Sequence, residues 1–422
     1  MKKWFKRIAL GIFIAFVLLY GFLMVRSSIP ATVNDKELQF PRASIPAGSN
    51  AFDLLQTATS HVWWPKEKSD QLDDLLRNTN WDDPLASTAL ANNRETLAGW
   101  DAAAKLPAFQ VPESNFNDLA PYLAEWKQLA KVAELRENVL LHNGQDKEAF
   151  DKILDHVRLG QRMQNAHGPL IDYLVGAAVH NMGLSQMQHW AGKTHLTPDQ
   201  LKDYIRQLGF DPDGESVAFA NTIKGEYQFQ IGSLEAIRRG KITNSDSTGH
   251  YSRPVRWLPL FNFSQTRALF AEEDLKLVKA APHHFNEMKL AGMDSRPGIV
   301  SIYLSGNVVG QVLYYLTMPA VIPSLAKKSQ GDAQLQATRT ILALRAYQLT
   351  HGNLPPDLNA LVPEFLDAVP IDDFDGQPLR YSAERKIVYS VGRNLKDDGG
   401  DDRISEADPS KSHLDLVFKF DF

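Results

Sequence analysis

No cysteine occurs in the 422 residues. That absence removes disulfides, thiolate metal ligands, cysteine nucleophiles and a lipid-modified cysteine anchor together. An exported chain of this size must then be held by its core alone, which fits a bacterial envelope protein better than a small disulfide-stapled scaffold. Basic stretches are also scarce. The formal net charge is -5, and past the first seven residues no basic run is interleaved with aromatics, so nucleic acid is not expected as a partner. G-x-S-x-G, a Walker loop, G-x-G-x-x-G and H-E-x-x-H are all missing, which leaves hydrolase, nucleotide-binding and zincin readings without local support. SLAK (Ser324 to Lys327) matches S-x-x-K, but Ser245-Asp246-Ser247 stands before it rather than after, and no K-T-G follows, so the match reads as chance.

What the chain does contain begins at its N-terminus. Lys2, Lys3, Lys6 and Arg7 precede an uncharged apolar run from Ile8 to Val25. As a helix the run rises about 27 Å, enough to enter a lipid bilayer and cross its core. The basic cluster should stay in the cytoplasm. The expectation is a single-pass protein of the bacterial inner membrane, N-terminus cytoplasmic and body periplasmic. A cleaved signal peptide is the competing reading, but its apolar region would be shorter and end in an A-x-A-like site. VRSSIP offers no such site, so an uncleaved anchor is expected.

With 44% hydrophobic and 23% charged residues the remainder has material for a sizeable core. Residues 27–50, rich in Pro, Ser and Ala, read as a stalk after the anchor at 1–26. Residues 51–328 read as an irregular body of roughly eight to ten helices. Leu119, Leu123, Trp126, Leu129, Val132, Leu135 and Val139 recur at steps of three and four and stop at Asn143-Gly144. Thr197, Pro198 and Gln200 form a capping-box start. Residues 299–325 are apolar enough to raise a second span, but Asn307, Gln311 and two prolines favour a buried core helix. Trp63-Trp64 suits a bilayer interface or a partner, with core packing as the default. Residues 329–422 change texture. An amphipathic helix stops at Gly352, and turns and three strands follow, so the fold class is mainly α with a small C-terminal α+β domain on a short antiparallel sheet.

The tail carries a resemblance. Tyr347, His351-Gly352, Leu354-Pro355, Leu358, Leu361, Pro363, Val369-Pro370, Asp372, Phe374, Gly376, Pro378, Tyr381 and Tyr389-Ser390-Val391-Gly392 follow one another in an order that resembles the C-terminal domain of the major pseudopilins of type II secretion. The resemblance implies a long helix on a small antiparallel sheet, with calcium clipping the loop after the second strand. The anchor has Phe16 where that family's processing signature has glutamate, five residues after Gly11. The tail therefore reads as a borrowed headpiece, not as part of a polymerising subunit.

The loop in question is NLKDDGGDDR. Asp397, Asp398, Asp401 and Asp402 supply carboxylates around a Gly399-Gly400 bend, which suits calcium's demand for six to eight oxygens. The competing reading is a solvated acidic turn, and both stand, with Asp401 and Asp402 the favoured ligands. Asp372, Asp373 and Asp375 read as a turn, and His283, His284 and Glu287 as a surface or core group on a helix. The expected function is a membrane-anchored extracytoplasmic interaction or scaffold protein whose partner is an unidentified envelope protein of secretion or pilus-like machinery. The alternative is an extracytoplasmic hydrolase with a carboxylate acid/base pair in the helical body.

Overall fold

The computed structural model describes residues 2–39, 42–114, 120, 122–239, 261–288, 298–404 and 413–422. Its first element, α1 (Lys2–Ser28), unites the basic cluster and the apolar run in one helix. Its apolar side chains stand in the open, Phe13 63% and Leu18 68% exposed. By length and hydropathy this helix is able to cross a membrane.

The last turn of α1 is tied to the rest of the protein. Helix C-termini leave carbonyls without partners, and here Asn262 Nδ2 donates to Ser27 O at 2.7 Å while Gln265 Nε2 donates to Arg26 O at 3.0 Å. The same two amides reach Ile29 O at 2.9 and 2.8 Å. Residues 27–50 are expected as a stalk, but the described residues 29–39 of that stretch pack along the body. Leu38 is fully buried, and Asp35 accepts from Tyr227 Oη at 2.6 Å and Arg267 Nε at 2.8 Å. Burial alone would raise the Asp35 pKa, but the hydrogen bonds from Tyr227 and Arg267 outweigh it and hold the carboxyl below its usual range. The proline-rich texture signals a lack of helix; it carries no information on packing.

The body is built from α2 (Ala51–Thr59), α3 (Ser69–Leu76), α4 (Asp83–Asn92), α5 (Arg94–Lys105), α6 (Tyr122–His142), α7 (Asp146–Gln164), α8 (Leu170–Trp190), α9 (Pro198–Leu208), α10 (Pro212–Arg238), α11 (Phe263–Ala280) and α12 (Ile299–Leu304). These are eleven helices among the described residues, more than periodicity suggests, because short pieces such as α3, α4 and α12 give little period to read. Local signals set the boundaries. The Asp82 carboxylate caps α4 by accepting from Leu85 N at 3.0 Å, and Thr197 with Gln200 forms the expected capping box of α9. Leu119, expected on the face of α6, lies outside the described residues. The α7 and α8 backbones cross closely at glycines: a Cβ on Gly176 would stand 2.6 Å from Gln164 N, and one on Gly183 2.7 Å from Val157 Cγ2. Trp63 and Trp64 are half-buried against the cluster of Leu72, Leu75 and Leu85.

α13 (Val308–His351) runs for 44 residues through the boundary expected at 328 and ends at Gly352, whose φ of 82° closes the helix in the left-handed region. The change of texture there is a change of neighbours rather than an end of helix. Residues 299–325 are accordingly divided between α12 and the start of α13. Tyr314 and Leu325 are buried, whereas Ile299 and Val300 are 71% and 67% exposed and Leu316 is exposed too, so the expectation of one buried helix holds only at single positions of the second part.

The sheet comprises β1 (Arg380–Ser382), β2 (Ile387–Ser390) and β3 (Leu416–Lys419), antiparallel in that order, with Val388 opposite both Tyr381 and Phe418. Leu335, Ile341 and Leu344 of α13 join Ile153, Leu184 and Leu201 of the body and Leu361, Val388 and Phe420 of the tail in one apolar cluster. Body and tail thus share a core.

Candidate functional site

Asp397, Asp398, Asp401 and Asp402 lie on the loop that leaves β2, and each turns to a different neighbour. Asp397 Oδ1 accepts from the Tyr389 hydroxyl at 3.2 Å and Asp398 Oδ2 from Asn394 Nδ2 at 2.7 Å. Asp401 accepts Nε and a terminal nitrogen of Arg403 at 3.0 and 2.6 Å, and Asp402 pairs with Lys419 at 2.7 Å. Hydrogen bonds from Arg403 and Lys419 draw Asp401 and Asp402 below the usual carboxylate range. Among the described residues no three His, Asp or Glu side chains gather as a metal site. The carbonyls of the glycine bend, which a cation would use, accept instead from Arg385, at 2.6 Å for Gly400 O. In this arrangement each of the four carboxylates is turned toward its own donor.

The loop is centred on a residue that its local sequence hardly announces. Asp415, fully buried just before β3, accepts from Gly400 N at 2.6 Å, Asp401 N at 3.2 Å and Asp398 N at 3.3 Å. Its only sequence signal is a carboxylate inside the apolar run LDLVF. The turn at Ile371 to Pro378 is organised in the same way. Asp372, fully buried, accepts from Phe374 N at 3.0 Å, Ser390 Oγ at 2.8 Å, Val391 N at 2.9 Å and Arg380 at 3.1 Å. Burial pushes its pKa up in spite of these donors. Asp375 pairs with Arg380 in the same turn. The turn expected from these aspartates is present, and Asp372 also locks it to the end of β2.

Asp373, between them, faces the body. It accepts from Ser329 Oγ at 2.6 Å and Lys328 Nζ at 3.2 Å on α13, and from His284 Nδ1 at 3.1 Å. His283, His284 and Glu287 therefore do not share a helical face. α11 has already ended, His284 precedes a short 3-10 turn (Phe285–Glu287), and His283 stands 3.8 Å from Glu287. Lys328 is 4% exposed and also pairs with Asp332 at 3.0 Å. Burial opposes the Lys328 charge, and the two aspartates outweigh it and raise its pKa. Asp332 is pushed up to about 7, first by burial and then by Asp373 and Glu215, against the pull of Lys328.

A recess beside this junction is lined by Tyr173, His180, Glu215, Lys328 and Asp332, among others, and its volume is about 10 Å³. That is room for about one water. Burial lowers the His180 pKa. Ser324 and Lys327 of the S-x-x-K match fall within α13; Ser324 is buried and Lys327 donates to Gln330 Oε1 at 3.0 Å. Ser245, Asp246 and Ser247 lie outside the described residues.

One carboxylate pair in the body sits a turn apart on α6. Glu134 is pushed up to about 7 by burial, partly offset by the hydrogen bond from Gln186 and reinforced by the Glu137 charge. Glu137 is fully buried and meets His156 Nδ1 at 3.0 Å. Glu137 has no exposed side-chain atom, whereas Glu134 is half-buried. A second, more open groove lies in the tail, about 260 Å³ between Pro356, Leu358, Asn359, Val369, Leu379 and Tyr381. No family model, no curated protein and no solved structure matches the chain.

Proposed function

We propose that this chain is a membrane-anchored interaction protein of the extracytoplasmic side of a bacterial inner membrane, with α1 as its span and the tail groove as its docking end. The carrying observation is the tie between α1 and the body. Asn262 and Gln265 take the last carbonyls of the apolar helix, so the body begins where the helix emerges. The basic residues before the apolar run support a cytoplasmic N-terminus. The tail's order of long helix, buried-aspartate turn and three antiparallel strands supports the pseudopilin-like reading of its sequence. Its partner is an envelope protein of the kind that builds secretion or pilus-like assemblies. The groove suits one or two apolar side chains of such a partner, being lined by Pro356, Leu358 and Tyr381.

The absence of cysteine makes the test clean, since any introduced thiol is unique. In spheroplasts, a membrane-impermeant maleimide should label Asp199→Cys, whose side chain is 95% exposed, and spare Lys3→Cys until the membrane is opened. A photoreactive side chain at Asn359 should give a discrete protein adduct in vivo that the same probe at Asp199 does not. Labelling of Lys3→Cys from outside would reverse the topology, and equal adducts from both positions would remove the docking role.

A further inference from the structure

The segment from Gly298 to Ala326 contains no Asp, Glu, Lys or Arg. Its first part does not reach the core. α12 leaves Ile299 71%, Val300 67%, Tyr303 53% and Leu304 42% exposed, and two residues on a shared face of α13, Val312 and Leu316, are 44% and 71% exposed. Exposed apolar side chains gathered in this way, on a helix too short to cross a bilayer, mark a recognition surface.

Its position identifies what it recognises. The turn between α12 and α13 sits directly on the exit of α1: Gly306, at φ 75°, leaves no room for a Cβ, which would stand 2.7 Å from Arg26 Cβ and 2.9 Å from Ser27 N. Asn307, 3% exposed, fixes that turn by accepting from Asn262 N at 2.9 Å and Thr266 Oγ1 at 3.1 Å. Asn262 is the residue that also holds Ser27 O. One hydrogen-bonded knot therefore sets the level of α12 relative to the end of the apolar helix. Besides Ser301, the side chains that α12 exposes are three aliphatics and a tyrosine, a composition that partitions into the boundary between headgroups and acyl chains.

We infer that α12, with Val312 and Leu316 beside it, is a second, non-spanning lipid contact that lies in the outer interfacial layer of the membrane crossed by α1. The inference rests on α1 being a span. It adds that the body is held to the bilayer at two places, so it cannot swing freely about α1. A partner protein on the same surface is the competing occupant, and the continuity with the apolar helix favours lipid.

The test uses the full chain in nanodiscs of phosphatidylcholine and phosphatidylglycerol, with an environment-sensitive fluorophore on single cysteines placed as Leu18→Cys, Val300→Cys, Leu316→Cys and Asp199→Cys. Lipids carrying a nitroxide near the top of the acyl chain should remove about half of the emission at Val300 and Leu316, as at an interfacially inserted helix, and leave Asp199 unchanged. Quenching at Leu18 with none at Val300 and Leu316 overturns the inference and keeps the span. A Val300 probe that is shielded from aqueous iodide yet unquenched by lipid nitroxide assigns the surface to protein contact and overturns it as well. No lipid quenching at Leu18 would remove the span, and the inference with it. Ile299→Ser with Val300→Ser, changes at exposed positions, should leave the thermal transition within a few degrees of the parent while releasing the Leu316 probe from lipid.

Discussion

Individual carboxylates have opposite electrostatic situations in this protein. Asp35 is held ionised by Arg267 and Tyr227, whereas Asp172, Glu134 and Asp332 are each pushed up to about 7, chiefly by burial. The sign of the consequence follows from linkage. A carboxyl whose folded pKa exceeds its unfolded value keeps its proton in the folded state while the unfolded chain has lost it, so stability falls as pH rises from about 4 to about 7. Urea unfolding in detergent micelles should therefore give a higher free energy at pH 5 than at pH 8. Asp172→Asn should reduce that difference by on the order of 2 kcal/mol, since each tenfold difference in proton affinity between folded and unfolded chain corresponds to about 1.4 kcal/mol. A pH dependence that the substitution leaves untouched would show that Asp172 does not titrate in this range. The sequence names many acidic residues, but which of them are buried depends on neighbours far along the chain, as Asp35 on Arg267 shows.

At the level of elements, the tail sheet is held together by Asp372 and Asp415. Asp415→Ala leaves three backbone amides of the acidic loop without their acceptor, one of them the buried amide of Gly400, and should destabilise the tail by about 2–4 kcal/mol. Calcium and a chelator should give superimposable melting curves for the parent, because Arg385 already occupies the glycine carbonyls. A rise of several degrees with calcium would restore the cation reading of Asp397, Asp398, Asp401 and Asp402. Local chemistry is legible in the sequence: the apolar helix, the Thr197 cap, the Gly352 stop and three strands all rest on patterns within a few residues. The acidic loop is also visible as a loop. Its internal geometry is not, because the partners Arg385, Lys419 and Asp415 come from other parts of the sheet. The unbroken path of α13 is hidden for a related reason, since its prolines and its shift from apolar to amphipathic residues look like an ending until its packing partners are known.

For the molecule as a whole, the shared cluster of α7, α8, α9, α13 and the sheet predicts one cooperative unfolding event for body and tail. Hydrogen exchange followed by mass spectrometry should find the peptides of α7 and β2 opening together, and a tail that opens well before α7 would contradict the common core. Lys328→Met, which strips a nearly buried cation from Asp332 and Asp373, should cost about 3–5 kcal/mol and weaken that coupling. The common core also has a bearing on biogenesis. α13 leaves the ribosome before β2 and β3, so the faces it turns to the sheet stay uncovered until Val388 and Phe420 arrive. A ribosome stalled just short of β3 would leave those faces open to chaperones and proteases, and completion of the last strand becomes the checkpoint for the whole fold.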